Sequence, residues 1–213
     1  MDFIDAKINE YAEVHSEQES DVLARLNRET YTKVLAPRML SGHLQGRILA
    51  MFSKMLQPKN ILEIGTYTGY SAICLAEGLK PDGKIYTIDI NEELEDMARK
   101  YFSEAKVDHQ IDFRIGNALE IIPTIDIIFD LVFIDADKVN YANYFDMVID
   151  KVAQYGIIIA DNVLWSGKVV REISENDKDT LAIDHFNKKV HADSRVENVL
   201  FPVRDGLMIL RKK

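Results

Sequence analysis

The sequence predicts an α/β protein: a doubly wound, mostly parallel sheet preceded by helices and completed by an antiparallel hairpin. Three observations predict it. From Asn60 onward, short β-branched runs alternate with helical patterns, the βαβα order of a parallel sheet. Runs such as Leu131-Val132-Phe133-Ile134 and Ile157-Ile158-Ile159-Ala160 are apolar throughout, as strands buried on both faces are. Last, two β-rich runs flank Arg204-Asp205-Gly206, and Asp-Gly between such runs marks a hairpin.

The elements follow in order. Ile4, Ile8 and Tyr11 recur at i, i+4, i+7, the spacing of one helix face. Val22, Leu23, Leu26, Val34 and Leu35 form a second stripe, ended by Pro37. A third helix runs from near Ser41 to before Pro58 and turns Leu44, Ile48, Leu49, Phe52, Met55 and Leu56 inward. All three stripes are expected to pack into the core. Strands are expected at 61–64, 84–88, 111–115, 131–134 and 156–160, with helices at 71–79, 92–105, 118–122 and 141–152. Residues 196–203 and 207–211 make the hairpin, and the polar stretch 174–179 is a loop. This order is read as one domain over 1–213, with helices in 1–57 and the α/β core in 58–213.

Composition narrows the function classes. A chain of 213 residues with 47% hydrophobic and 29% charged residues is an ordinary globular protein. No apolar stretch reaches the roughly 18 residues of a membrane span, and the acidic start Met1-Asp2-Phe3-Ile4-Asp5 lacks the features of a signal peptide. The single cysteine, Cys74, cannot form an internal disulfide, which fits a reducing cytoplasm. A net charge of −9 argues against broad, nonspecific nucleic-acid binding, though not against a local basic patch.

Two strands break abruptly into carboxylates. One ends Phe133-Ile134-Asp135-Ala136-Asp137-Lys138, the other Ile159-Ala160-Asp161-Asn162. Open α/β sheets place their ligand crevice at such strand ends. Neighbouring strands lie about 4.8 Å apart, so if these two pair, Asp135 and Asp161 converge on one ion. Two carboxylates and the Asn162 amide oxygen make a hard, all-oxygen site suited to Mg²⁺ or a similar cation. The competing reading is that each aspartate caps the helix that follows.

The first strand ends Leu62-Glu63-Ile64-Gly65-Thr66-Tyr67-Thr68-Gly69-Tyr70-Ser71. This glycine turn departs from Gly-x-Gly-x-x-Gly, whose middle glycine admits a pyrophosphate; here Tyr67 lies in the turn and Glu63 precedes it. An acid beside the ligand suits a cationic group, such as the amino group of an amino-acid-like cofactor. Gly65 and Gly69 permit close approach of the backbone, and Ser71 with the helix-start N–H groups suits a carboxylate. Asp89 ends the second strand, where a Rossmann-like fold keeps its ribose-binding acid; it would otherwise serve as a helix cap. Acid, glycine turn and ribose acid together point to S-adenosylmethionine rather than NAD.

With these residues assembled, the chain resembles the cation-dependent O-methyltransferases, the family of catechol and caffeoyl-coenzyme A O-methyltransferases and many small bacterial relatives. The resemblance rests on Glu63 to Ser71, on Phe133 to Lys138, on Asp161-Asn162-Val163-Leu164-Trp165 with Ser166-Gly167, and on Pro202-Val203-Arg204-Asp205-Gly206. Met39 to Gly46 matches the segment before the first strand. The resemblance implies a Rossmann-like class I methyltransferase domain with a seven-stranded sheet. It makes Asp135, Asp161 and Asn162 metal ligands for Mg²⁺, or for another divalent cation such as Mn²⁺ or Ca²⁺. Met39, Ser41, Glu63, Gly65, Tyr67, Ser71, Asp89, Asn117, Ala118 and Asp135 become contacts of S-adenosylmethionine. Lys138 matches the catalytic lysine, with Asp135 beside it, and Trp165 an aromatic facing the substrate.

The implied chemistry is methyl transfer to one hydroxyl of a catechol-like vicinal diol. A divalent cation favours the anion of such a diol and orients it. A nearby dication also favours the neutral, basic form of Lys138, three residues past Asp135. His15, His43, His109, His185 and His191 show no paired zinc spacing; His43, in the matched segment before the first strand, is a candidate substrate contact. The alternative acceptor is a hydroxylated uridine of transfer RNA, for which Arg25, Arg28, Lys33, Arg38, Arg47, Lys168, Arg171 and Arg204 would supply a basic face. A homodimer, built through the N-terminal helices or other exposed surfaces, is a further implication of the resemblance.

Overall fold

The run Asn60–Ile64 forms β1, and Ile61, Leu62, Glu63 and Ile64 are all buried, as a strand covered on both faces requires. The computed structural model describes residues 5–213, so Met1 to Ile4 of the acidic start lie outside the described residues. The further strands are β2 (Lys84–Asp89), β3 (Ile111–Ile115), β4 (Phe129–Ile134), β5 (Val152–Ala160), β6 (Val196–Phe201) and β7 (Leu207–Lys212). They form one seven-stranded sheet in the order β3-β2-β1-β4-β5-β7-β6. This is the expected Rossmann-like sheet, mostly parallel with an antiparallel hairpin. The chain divides into two compact units, one holding residues 7–118 and the other residues 119–213.

In the unit of residues 7–118, β1, β2 and β3 pair in parallel, with Glu63 opposite Thr87 and Asp89 opposite Ile115. Its helices are α1 (Ala6–Val14, which starts one residue earlier), α2 (Asp21–Lys33), α3 (Gly42–Leu56), α4 (Tyr70–Ala76) and α5 (Glu95–Glu104). Here three expectations need correction. α1 buries no residue, and Ile8, Tyr11 and Val14 are exposed. Periodicity tells which side chains share a face, not whether anything covers that face. α2 buries Leu23 and Leu26 as expected but ends at Lys33, where Val34 turns extended; Leu35 is fully exposed.

The third correction concerns α3. Its buried residues are Gln45, Gly46, Leu49, Ala50 and Ser53, while Met55 and Leu56 are exposed and Leu44, Ile48 and Phe52 half-buried. The small residues win because α3 and α4 approach closely. A Cβ on Gly46 would sit 2.6 Å from Tyr70 Cε1 and 2.9 Å from Cys74 Sγ. Ser53 Oγ donates to the Leu75 carbonyl at 2.5 Å, which satisfies a polar group in the buried seam.

In the unit of residues 119–213, β4 and β5 pair in parallel, and β7 runs antiparallel between β5 and β6. A short α6 (Ala118–Ile121) spans the boundary of the units in sequence. α7 (Tyr141–Val148) stops earlier than expected, because β5 begins at Val152 rather than at 156. α8 (Lys178–Ala192) has no counterpart in the sequence reading. Its buried face is Thr180, Ile183, Phe186 and Val190, an i, i+3, i+6, i+10 stripe diluted by ten polar positions or alanines. Asp177 caps it by accepting the Thr180 N–H at 3.2 Å, so the polar loop ends one residue before the helix starts at Lys178. Among the described residues, no helix is long and apolar enough to cross a membrane.

Candidate active site

The carboxy ends of β1, β2 and β3 collect one set of expected residues. Glu63 is fully buried, and Thr87, its register partner on β2, donates its hydroxyl to Glu63 Oε2. Thr66 stands 2.6 Å from the Thr87 hydroxyl, so a chain of two threonines orients the acid. The turn that follows is conformationally demanding: Gly65 has φ 101°, Tyr67 φ 51° and Gly69 φ 90°. Gly69 also lies under the Phe102 ring, where a Cβ would come within 2.5 Å of Cε1.

Asp89 secures this turn. Its Oδ2 accepts the Tyr67 N–H at 2.6 Å and its Oδ1 the Asn91 N–H at 2.8 Å. The capping role falls to Asn91, which accepts the Glu93 N–H at 3.1 Å. Each Asp89 oxygen keeps a second acceptor site, so its carboxylate can still take hydrogen bonds from a ligand. The Asp89 carbonyl accepts the Gly116 N–H at 2.8 Å, which draws the end of β3 and the following Asn117-Ala118 to the same edge. Asn117 is exposed and Ala118 buried at the start of α6.

The segment before α3 is tied to the same turn. Tyr67 Oη donates to the Ala36 carbonyl at 2.9 Å, just before the 3-10 turn Pro37–Met39. Burial raises the Tyr67 hydroxyl above its usual range, so it remains a donor at neutral pH. Met39 is exposed, Ser41 buried, and Ser71 buried in the first turn of α4. His43 Nε2 lies 2.7 Å from the Glu17 carbonyl and holds the stretch before α2.

The second set stands at the carboxy ends of β4 and β5. Ile134 and Ala160 are register partners, and the Asp161 N–H donates to the Ile134 carbonyl at 2.9 Å. Asp135 and Asp161 therefore leave a paired position side by side, as the strand-end argument required. Asp161 is buried and its Oδ1 accepts the Asn162 N–H at 2.7 Å. Asn162 takes a left-handed backbone, φ 58°, a conformation Asn tolerates better than most residues.

Lys138 is buried against this pair. Its Nζ donates to Asp135 Oδ1 at 3.2 Å and to Tyr141 Oη at 2.6 Å, and lies 5.7 Å from the Trp165 ring centre. Tyr141 Oη in turn donates to the carbonyl of Asp161 at 3.0 Å, with that of Ile134 at 3.3 Å. Burial first, then the charges of Asp135 and Asp161, push the Tyr141 hydroxyl well above its usual range. It stays protonated and passes its one proton to backbone, leaving an oxygen lone pair for the lysine. Tyr141 was absent from the expected site; its signal was the spacing, since residues 138 and 141 lie on one helical face. Thr87, opposite Glu63, was likewise legible only from strand register.

Among the described residues, no group of three or more His, Cys, Asp and Glu side chains is arranged to hold a metal ion. The set at Asp135, Asp161 and Asn162 differs in kind, since its third donor is an amide. Two adjoining strand-end carboxylates and an amide oxygen would suit a hard divalent cation. Lys138 supplies the compensating charge at Asp135.

The sequence profile of the O-methyltransferase family matches residues 13–213. A caffeoyl-CoA O-methyltransferase of Medicago sativa is 39% identical over 184 residues, covering 79% of this chain and 72% of that protein. An O-methyltransferase of Bacillus cereus, solved in complex with SAH, superposes with a TM-score of 0.90 at 29% identity, covering 97% of each chain. TomG of Streptomyces achromogenes, an O-methyltransferase involved in tomaymycin synthesis and solved with SAM, gives 0.89 at 27% identity, over 97% of this chain and 96% of that one. The chain belongs to the O-methyltransferase family and is an S-adenosylmethionine-dependent O-methyltransferase.

Proposed function

We propose that this enzyme methylates one hydroxyl of a small, catechol-like vicinal diol and depends on a divalent cation, Mg²⁺ in the first instance. The observation that carries the reading is the buried Lys138 between Asp135 and Tyr141, beside the adjoining strand-end Asp161-Asn162. Asp135, Asp161 and Asn162 would hold the cation, which supplies stabilisation of an aromatic oxyanion and fixes the two oxygens of a diol. In its neutral form, Lys138 Nζ would take the proton of the reacting hydroxyl. Tyr141 keeps that nitrogen in place through a buried hydrogen bond to its hydroxyl, and Trp165 forms a wall against the acceptor ring.

Glu63 and Asp89 bind the methyl donor, Glu63 through its amino group and Asp89 through the ribose hydroxyls. Gly65, Tyr67 and Ser71 line its amino-acid end with Met39 and Ser41, and Asn117-Ala118 its adenine. Structural neighbours solved with SAM and with SAH support S-adenosylmethionine as the donor. The donor's sulfonium supplies an already activated methyl, so the residues contribute mainly placement, worth up to about 7–11 kcal/mol in well-oriented systems.

A hydroxylated uridine of transfer RNA is the competing acceptor. At least four of the eight cations it would use are engaged with carboxylates: Arg25 with Glu104, Lys33 with Glu29, Arg47 with Glu77 and Lys168 with Asp177. That weakens a basic face and favours the small diol. The test is transfer of a labelled methyl from S-adenosylmethionine to a catechol panel and to bulk transfer RNA, with and without EDTA. Turnover of catechols that EDTA abolishes and Mg²⁺ restores is expected. Turnover that survives complete metal removal would falsify the cation dependence, and labelling of transfer RNA alone would transfer the assignment to the second acceptor.

The family match from 13 to 213 spans both compact units and supports treating 1–213 as one functional domain. We also infer a homodimer, supported by the exposed apolar side chains of α1 and α3, among them Ile8, Tyr11, Met51 and Met55; a monomeric mass in solution would exclude it. A cytoplasmic site is supported by the one cysteine, Cys74, whose buried thiol is pushed up to about 12 and stays inert; recovery of the protein outside the cytoplasm on cell fractionation would exclude it.

A further inference from the structure

The turn after β5 is held in an unfavourable shape by a residue outside the reacting set. Asn162, Trp165 and Ser166 all have positive φ, at 58°, 46° and 54°, and Gly167 follows at 70°. Local bonds close part of it: the Trp165 N–H reaches the Asn162 carbonyl at 3.1 Å and the Gly167 N–H the Leu164 carbonyl at 2.9 Å. Neither explains why three non-glycine residues keep a left-handed backbone. The remaining support comes from the turn between β6 and β7. Asp205 Oδ1 accepts the Ser166 N–H at 2.6 Å, the Asp205 carbonyl accepts the Leu164 N–H at 2.9 Å, and the Gly206 carbonyl the Val163 N–H at 3.1 Å. Contact is close as well: a Cβ on Gly206 would lie 2.6 Å from Leu164 Cγ.

We propose that Asp205 is a positioning residue, whose carboxylate clamps the Trp165–Gly167 turn and so sets the wall against which the acceptor ring binds. Two geometric observations converge on it. The carboxylate meets a backbone N–H in the middle of the left-handed run. The clamped residue adjoins Trp165, whose ring centre lies 5.7 Å from Lys138 Nζ. Burial raises the Asp205 carboxyl above its usual range, against the Ser166 N–H and the charges of Lys138 and Arg204, as a partly desolvated carboxyl requires. The role of Trp165 as acceptor wall rests on the proposed function above; the clamp itself does not.

Trp165 is the chain's one tryptophan, so its emission reports this turn alone. Asp205→Ala is expected to shift that emission to longer wavelength and to raise KM for 1,2-dihydroxybenzene about tenfold, with KM for S-adenosylmethionine within about twofold. Asp205→Asn keeps an oxygen acceptor and is expected to restore both readings. Native emission in Asp205→Ala, or an Asn variant no better than Ala, overturns the clamp. Shifted emission with unchanged acceptor KM overturns the positioning role. Should Asp205→Ala not fold, amide exchange of the unmutated protein decides: a protected Ser166 N–H supports the clamp, and free exchange there overturns it. Absence of any catechol turnover by the unmutated enzyme counts against the proposed acceptor, while emission and exchange still judge Asp205.

Discussion

The turns after β1 and β5 meet the same demand in different ways. Each leaves a buried strand through positive-φ residues and presents polar groups where the strand stops. After β1 the positive φ falls mainly on Gly65 and Gly69, with Tyr67 between them held by Asp89. After β5 it falls on Asn162, Trp165 and Ser166 before Gly167 is reached. Glycine makes the first conformation cheap and local. The second is imposed by hydrogen bonds from Asp205 and Gly206, some forty residues later in the chain. The lesson is that the second turn carries the side chains proposed for the chemistry, so the backbone's demand is met from a distance.

The largest expected effect tests what the second turn exposes. Asp161→Ala or Asp135→Ala should lower turnover on the order of 10³-fold or more while circular dichroism and the melting profile stay close to those of the parent. Near-normal rates in either variant would show that the carboxylates are not the ligands. Next comes the first turn. Gly69→Ala places a Cβ at φ +90° and 2.5 Å from Phe102 Cε1, so it pays for both strain and overlap. A loss of about 2–4 kcal/mol by chemical denaturation is expected, together with weaker binding of the methyl donor. A stability equal to the parent's would mean that the turn relaxes and the glycine is not required. The smallest effect sharpens the contrast. Ser166→Gly keeps the N–H that Asp205 accepts and eases φ 54°, but loosens the unfolded chain, so the net change should stay within about 0.5 kcal/mol. A larger gain would place most of the strain at this one residue, and a clear loss would give the Ser166 side chain a role of its own.

Much of the fold was legible. The strands expected at 61–64, 84–88 and 111–115 match β1, β2 and β3 to within a residue at each end, and β4 and β5 are as expected but longer. Unbroken apolar runs report burial on both faces without help from their neighbours. The helices were less legible. α8 went unseen because Ile183, Phe186 and Val190 are separated by an aspartate, a histidine, an asparagine and two lysines. α3 was seen and Leu49 is buried as expected, but Met55 and Leu56 are exposed, since apolar side chains advertise a face more loudly than Gly46, Ala50 and Ser53 do. Close helix packing selects small residues, and a sequence pattern weighted by hydrophobicity cannot register that choice.

The site divides along the same line. Asp135, Asp161, Asn162, Lys138, Glu63 and Asp89 were candidates from the sequence because charged or amide groups directly after apolar strands are chemically conspicuous. The structure adds the residues that hold them: Thr87 on Glu63, Tyr141 on Lys138, and Asp205 on Ser166. The sequence by itself determined the parallel strands, the glycine turn and the carboxylate pair, because each is written in consecutive residues with short-range consequences. The tertiary structure alone decided which face of α3 is buried and whether α1 is covered. It also decided which distant hydroxyl or carboxylate fixes each reactive group. Those choices depend on register and close contact between residues tens of positions apart, where local pattern carries no information.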